Sequence, residues 1–246
     1  MKVTPIIMSA PMVRALLEGR KSQTRRIINP QPSFIESSGR WKWPIPKRAQ
    51  REGCDTHCYT ASREWHEYMP DGCCPFGKPG GLLWVRETCA FQWPEHCDNG
   101  LIYSDDPEYG RPIRREECDV IYRATDEGKT EWMGEDGEPC PPMWVPSIFM
   151  PRFASRLTLE LSGVRVERLQ DISEEDALAE GIYRLDHTEE MAEASQRLKW
   201  PQRFYAQLWE SLHGPGSWDA NPWVWVLSFH IHKLNVDTLL AKGIAA

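Results

Sequence analysis

The chain has 246 residues, 41% of them hydrophobic, and a formal net charge of -7. That length accommodates a sizeable core in one large domain or two small ones, and the composition is globular rather than disordered. No apolar run approaches the ~18 residues of a membrane span, the short patch Pro5 to Met8 does not read as a signal peptide, and the acidity argues against indiscriminate binding to long nucleic acid. The expected location is the cytoplasm.

Ser9 to Glu18 predicts a short helix. Ser9 is placed to cap it, Pro11 suits the first turn, and Gly19 suits the stop. Met12, Ala15, Leu16 and Gly19 fall on one face. "SQTRRII" then alternates as a strand, with Ser22, Thr24, Arg26 and Ile28 on one face and Gln23, Arg25 and Ile27 on the other. From Asn29 to about Pro79, proline, glycine and aromatics break the pattern, which reads as an irregular insertion. "LLWVRETCAF" (82–91) predicts a strand and "VIYRAT" (120–125) a short one, with irregular chain between and after them. "ASRLTLELSGVRVERL" (154–169) predicts two strands joined near Ser162 and Gly163.

"DISEEDALAEGI" predicts a helix capped by Asp171 or Ser173, with Glu174, Glu175 and Asp176 in the dipole-favoured first turn and Gly181 ending it. A helix over 200–214 carries Phe204, Leu208 and Leu212 at spacing four. "NPWVWVLSFHIH" (221–232) is the clearest strand, and "SWDANPW" before it forms a turn. Short strands outnumber helices. An α+β fold follows, a small mixed or antiparallel β-barrel with two or three helices. One domain is expected over 1–232, with insertions at about 31–78 and 92–145 and a flexible tail over 233–246.

"EGRKSQTRR" gathers Arg20, Lys21, Arg25 and Arg26 around Thr24 in an acidic chain. One reading is a helix end whose cations complement the dipole, followed by a solvent-facing strand. The other is an anion or nucleotide pocket, with Thr24 and Arg26 on one strand face and Lys21 able to turn to that side. A threonine hydroxyl needs a base, and a lysine serves when burial or nearby cations depress its pKa. Proton transfer also requires a carboxylate.

The same stretch, "GRKSQTRR", resembles the G-x-K-x-x-x-x-R signature of the ASCH family, PUA-like β-barrels linked to RNA and nucleoside recognition. Gly19, Lys21 and Arg26 are the matched positions. "MSAPMVRALLEGRKSQTRRI", "PFGKPGGLLWVRET", "MPRFASRLTLELSGVRVERLQDISEEDALAEGI" and "SWDANPWVWVLSF" resemble, in order, the longer ASCH-like proteins common in phages and prophages. Some small bacterial members are amidohydrolases that remove the acetyl group of N4-acetylcytidine. Carried over, their catalytic set implies Lys21, Thr24 and Glu180, with Glu174 and Glu175 as alternatives for the carboxylate. Gly19, Arg25 and Arg26 then belong to ligand binding. The resemblance implies that Thr24 attacks the acetyl carbonyl while Lys21 takes its proton, or that Lys21 activates a water. Glu180 protonates the leaving amine, and Arg26 or backbone N–H groups hold the oxyanion. Without the resemblance, Glu180 reads as a solvated carboxylate in an acidic helix.

No metal or other cofactor is assigned. Cys54, Cys58, Cys73 and Cys74, with His57 and His66, have a crude zinc-site pattern, but the C-x3-C spacing departs from the usual C-x2-C. Free thiols in an aromatic insertion are the competing reading. Trp84, Trp144, Trp218, Trp223 and Trp225 read as core rather than base-stacking surfaces. The expected partner is a nucleoside or RNA, with no membrane. The alternatives are a binding module without catalysis, or a phage accessory protein that binds a host protein through its insertions.

Overall fold

The computed structural model describes residues 3–38, 40–44, 57–60, 74–92, 97–98, 101–102, 118–128, 132–133, 139–140, 142–182 and 200–243. The fold is α+β. Its strands are β1 (Val3–Ile7), β2 (Gln23–Ile27), β3 (Ser33–Ile35), β4 (Arg40–Pro44), β5 (His57–Thr60), β6 (Leu82–Arg86), β7 (Cys89–Gln92), β8 (Cys97–Asp98), β9 (Leu101–Ile102), β10 (Asp119–Tyr122), β11 (Trp132–Met133), β12 (Pro139–Cys140), β13 (Thr158–Arg168) and β14 (Trp223–His232). The helices are α1 (Ala10–Leu17), α2 (Arg123–Asp126), α3 (Glu174–Ala179), α4 (Trp200–His213) and α5 (Val236–Ala241). No helix among the described residues is long and apolar enough to cross a membrane.

The main sheet has five strands in the order β1-β6-β13-β14-β2, an open row with β1 and β2 at its edges. A closed barrel is not found among the described residues. Contacts divide the chain into two compact units where the sequence suggested one domain over 1–232. The first comprises residues 1–4, 15–83 and 159–231, the second 5–14, 84–158 and 232–246. The expected insertions at 31–78 and 92–145 lie largely outside the described residues.

In the first unit, β14 pairs antiparallel with β2, setting Leu227 opposite Thr24 and Trp225 opposite Arg26. Val224 and Val226 of β14 join Leu169, Ile172, Ala177, Tyr205, Trp209 and Trp218 in one apolar cluster. Trp223 and Trp225, on the other face by strand alternation, are buried as well. This strand is therefore covered on both sides. The face of α4 differs from expectation. Pro201, Tyr205 and Trp209 point inward, one residue ahead of the predicted set, and Leu212 is 54% exposed. The spacing of four was right, but the aromatic rings bury more area than leucine and take the inner face.

Three predicted strands have different ends. β13 runs unbroken through Gly163, whose backbone lies beside Ser228 and forms no turn. The 82–91 segment breaks after Arg86. Its continuation, β7, pairs with β10 in a separate sheet. The predicted 120–125 strand stops at Tyr122, where Asp126 Oδ2 accepts from the Tyr122 N–H at 2.9 Å and α2 begins. In the turn before β14, Asn221 has φ 42° and its side-chain oxygen accepts from the Gln170 N–H at 2.9 Å. Asn is among the few residues whose short polar side chain tolerates that conformation, and here it also ties the turn to Gln170, 51 positions away.

In the second unit, residues 233–243 are packed, unlike the flexible tail expected over 233–246. Val236 and Leu239 of α5 are fully buried. Asn235 caps the helix, accepting from the Asp237 N–H, and its Nδ2 donates to the carbonyls of Arg152, Phe153 and Ser155. The segment is held by two buried apolar side chains and one cap, whose carbonyl partners lie far away in sequence. Leu239→Ala is expected to cost about 2–5 kcal/mol, and Leu212→Ala to stay within about 0.5 kcal/mol. Urea denaturation of both variants checks this.

Candidate functional site

The candidate site lies in the first unit, at the corner between α1 and β2. Gly19, with φ +74°, ends α1, and the N–H groups of Arg20 and Lys21 both reach the Ala15 carbonyl. The chain then meets the end of α3. That helix starts at Ser173, whose hydroxyl accepts from the Asp176 N–H at 3.0 Å, and closes through Gly181 at φ +87°. Lys21 forms an isolated antiparallel bridge with Glu180, and the Ser22 N–H donates to the Ala179 carbonyl at 2.9 Å. The entry to edge strand β2 is thereby covered, and orphan carbonyls at the end of α3 gain donors.

Side chains reinforce the junction. Arg20 Nη1 donates to the Gly181 carbonyl at 3.0 Å. Lys21 Nζ donates to Glu180 twice, to Oε2 at 2.7 Å and to the backbone oxygen at 2.8 Å. The other carboxylate oxygen, Oε1, accepts from Arg25 Nη1 at 3.2 Å. Arg25 also donates to Gln23 Oε1, to Glu167 and to Asp176, and its guanidinium lies 5.8 Å from the Tyr205 ring centre. Arg165 completes the set by pairing with Glu167 and Asp176. Lys21 is 1% exposed and Glu180 3%. Charged groups that deep persist only when paired and hydrogen-bonded.

Burial pushes the Lys21 ammonium below its ordinary pKa. Glu180 opposes that shift, while Arg26 and Arg25 add to it by like-charge repulsion. Burial also lifts the Tyr205 hydroxyl well above the usual phenol range, and Glu180 adds to the effect. Burial alone would raise Asp176, but the charges of Arg25 and Arg165 and the hydrogen bond from Gln23 hold it below the usual carboxylate range. The centre thus contains a lysine biased towards its neutral form beside a buried carboxylate. Such a pair can move a proton.

Of the residues singled out in the sequence, Lys21, Arg25 and Glu180 meet directly. Glu180 is no solvated carboxylate, whereas Glu175 is exposed. Thr24 is buried, yet no hydrogen bond among the described residues joins its hydroxyl to Lys21 or Glu180. By strand alternation it shares the face of Arg26, opposite Gln23 and Arg25. Lys21 reaches Arg25 through Glu180, which both of them hold. Arg26 influences Lys21 through charge, and Gly19 acts as the helix stop. Glu167, Asp176 and Tyr205 were not singled out. Asp176 read as a helix-dipole residue, and nothing in the local pattern tied it to a strand 151 positions away.

Among the described residues no group of three or more His, Cys, Asp or Glu is placed to hold a metal. Cys74 is buried. Cys54, Cys73 and His66 lie outside the described residues, as do the side chains of His57 and Cys58. Comparisons with protein families, curated proteins and solved structures find no match to this chain.

Gly181 sets how closely α3 approaches Lys21. A Cβ there would stand 2.9 Å from Ala15 Cβ and 3.0 Å from Lys21 Cβ, whereas one at Gly19 meets nothing within 4 Å. Gly19→Ala should cost only the left-handed backbone penalty of about 1–2 kcal/mol. Gly181→Ala should cost about 1–3 kcal/mol more from overpacking. Equal costs in chemical denaturation would show that the corner yields to the methyl group.

Proposed function

We propose that this chain is an ASCH-type protein that binds a nucleobase, nucleoside or RNA element at the Lys21 centre and hydrolyses an acylated base such as N4-acetylcytidine. The five-stranded sheet is, in this reading, the described part of a PUA-like barrel. The observation that carries the proposal is the contact between Lys21 and Glu180. These residues stand 159 positions apart and their charged atoms lie 2.7 Å apart. The resemblance paired them on motif positions alone. Thr24 lies on the strand that Lys21 leads into, next to Arg25.

Hydrolysis needs a base that is neutral at working pH, and burial with two nearby arginines depresses Lys21 in that direction. Thr24 attacks the acetyl carbonyl as Lys21 Nζ takes the hydroxyl proton. The C–N bond breaks as the exocyclic amine receives a proton from the Lys21–Glu180 pair. Water then cleaves the acyl ester, releasing acetate and restoring the hydroxyl. Direct attack by a Lys21-activated water gives the same products in one displacement.

Burial favours a second reading. Lys21, Thr24 and Glu180 are each at most 4% exposed, which suits a binding module whose charged corner is structural. Deacetylation of N4-acetylcytidine by the wild type, Lys21→Met and Thr24→Ala separates the two. The hydrolase reading expects wild-type turnover and a loss of about 100-fold or more in Lys21→Met. The same loss in Thr24→Ala assigns the covalent route. A folded wild type without turnover that binds RNA with salt-dependent affinity supports the binding module.

A further inference from the structure

Glu180 uses its two oxygens on different cations, Oε2 on Lys21 and Oε1 on Arg25. The difference between those cations matters. An ammonium can lose its proton, whereas a guanidinium in a protein does not. If Lys21 alone held Glu180, proton loss would leave a carboxylate only 3% exposed with no countercharge. A buried lone carboxylate takes up a proton. The pair would then collapse into neutral lysine and neutral acid, and the acid proton would block the base.

We propose that Arg25 is the positioning residue of this centre: it holds Oε1 of Glu180 so that the carboxylate stays paired and oriented when Lys21 gives up its proton. The inference rests on the reading of Lys21 as a base. The geometry suits it. Arg25 Nε and Nη2 are engaged by Glu167, Nη2 also by Asp176, and Nη1 by Gln23 and Glu180. Every nitrogen of the guanidinium is therefore held, and the plane is fixed. Glu167 and Asp176 balance the charge of Arg25, so its grip on Glu180 adds no unpaired cation. Among the described residues, the charged and titratable groups around the pair include Arg20 before β2, Arg25 and Arg26 on β2, Arg165 and Glu167 on β13, Asp176 on α3 and Tyr205 on α4. Arg25 hydrogen-bonds to Glu180 and also to Glu167 and Asp176. A residue with a merely structural role would change stability without moving the titration of Lys21.

The test follows the 13Cε resonance of Lys21 across pH in protein labelled at lysine, with Lys21→Met assigning the signal. In Arg25→Gln the midpoint of Lys21 should rise by about one pH unit or more, because a repelling charge is gone and Glu180 depends on the ammonium alone. Arg25→Lys should restore at least half of the shift. Where turnover is present, the rising limb of its pH profile should move with the resonance. An unmoved midpoint in folded Arg25→Gln overturns the proposal. Should that variant fail to fold, Asp176→Asn leaves the charge of Arg25 less balanced and should lower the midpoint of Lys21. An unchanged midpoint there overturns it as well. The resonance needs no substrate, so absence of turnover in the wild type removes the hydrolase reading separately.

Discussion

A lysine that is 1% exposed cannot stand alone, and the corner between α1 and β2 is organised by the need to pair it. Removing an ammonium and a carboxylate from water costs several kcal/mol for each ion. The cost is offset only if both are fully hydrogen-bonded. Lys21 makes two bonds to Glu180, and Glu180 adds a third with Arg25. That requirement fixes the approach of α3 to β2 and calls for a residue without a side chain at 181. It also brings residues 20–25 against residues 167–181. Chain entry, edge protection and the candidate chemistry all depend on one buried charge pair.

The second unit offers a useful contrast. Glu87 is equally buried and is held by both Nε and Nη2 of Arg156 at 2.9 Å, with that guanidinium 3.9 Å from the Tyr122 ring centre. Burial raises the pKa of Glu87, and Arg156 pulls it back. Two oxygens on one arginine form a closed clamp, because the guanidinium does not give up its proton. At Glu180 one of the two partners is a lysine, so the same kind of buried carboxylate belongs to a centre that can exchange a proton. This chemical difference, more than burial itself, marks the first unit as the place to look for activity.

Local order was readable from local cues. Gly19 and Gly181 as helix stops, Ser173 as a cap, and the strand running to His232 all follow from short-range rules. What failed depended on distant partners. Gly163 looked like a turn because sequence does not show the strand lying beside it. Leu212 had the right spacing, but Tyr205 and Trp209 claimed the core. Asn235 gave no hint of the three carbonyls it would bind. At the site, the type of Lys21 and Arg25 was legible, and the family resemblance supplied Glu180. The alternation of β2 already placed Thr24 and Arg25 on opposite faces. Glu167 and Asp176 were not legible, since their role comes only from the fold bringing β13 and α3 to Arg25.

The most direct measurement is a double-mutant cycle on folding stability with Lys21→Met, Glu180→Leu and the combined variant. The pair-centred account predicts a loss of about 3–5 kcal/mol in Glu180→Leu, which strands the Lys21 ammonium, and a smaller loss in Lys21→Met, where Arg25 still holds Glu180. It also predicts a double variant less destabilised than the two single losses added together. Losses that simply add, with each single change costing little, would mean that the two charges are not coupled, and the account of this corner would be wrong.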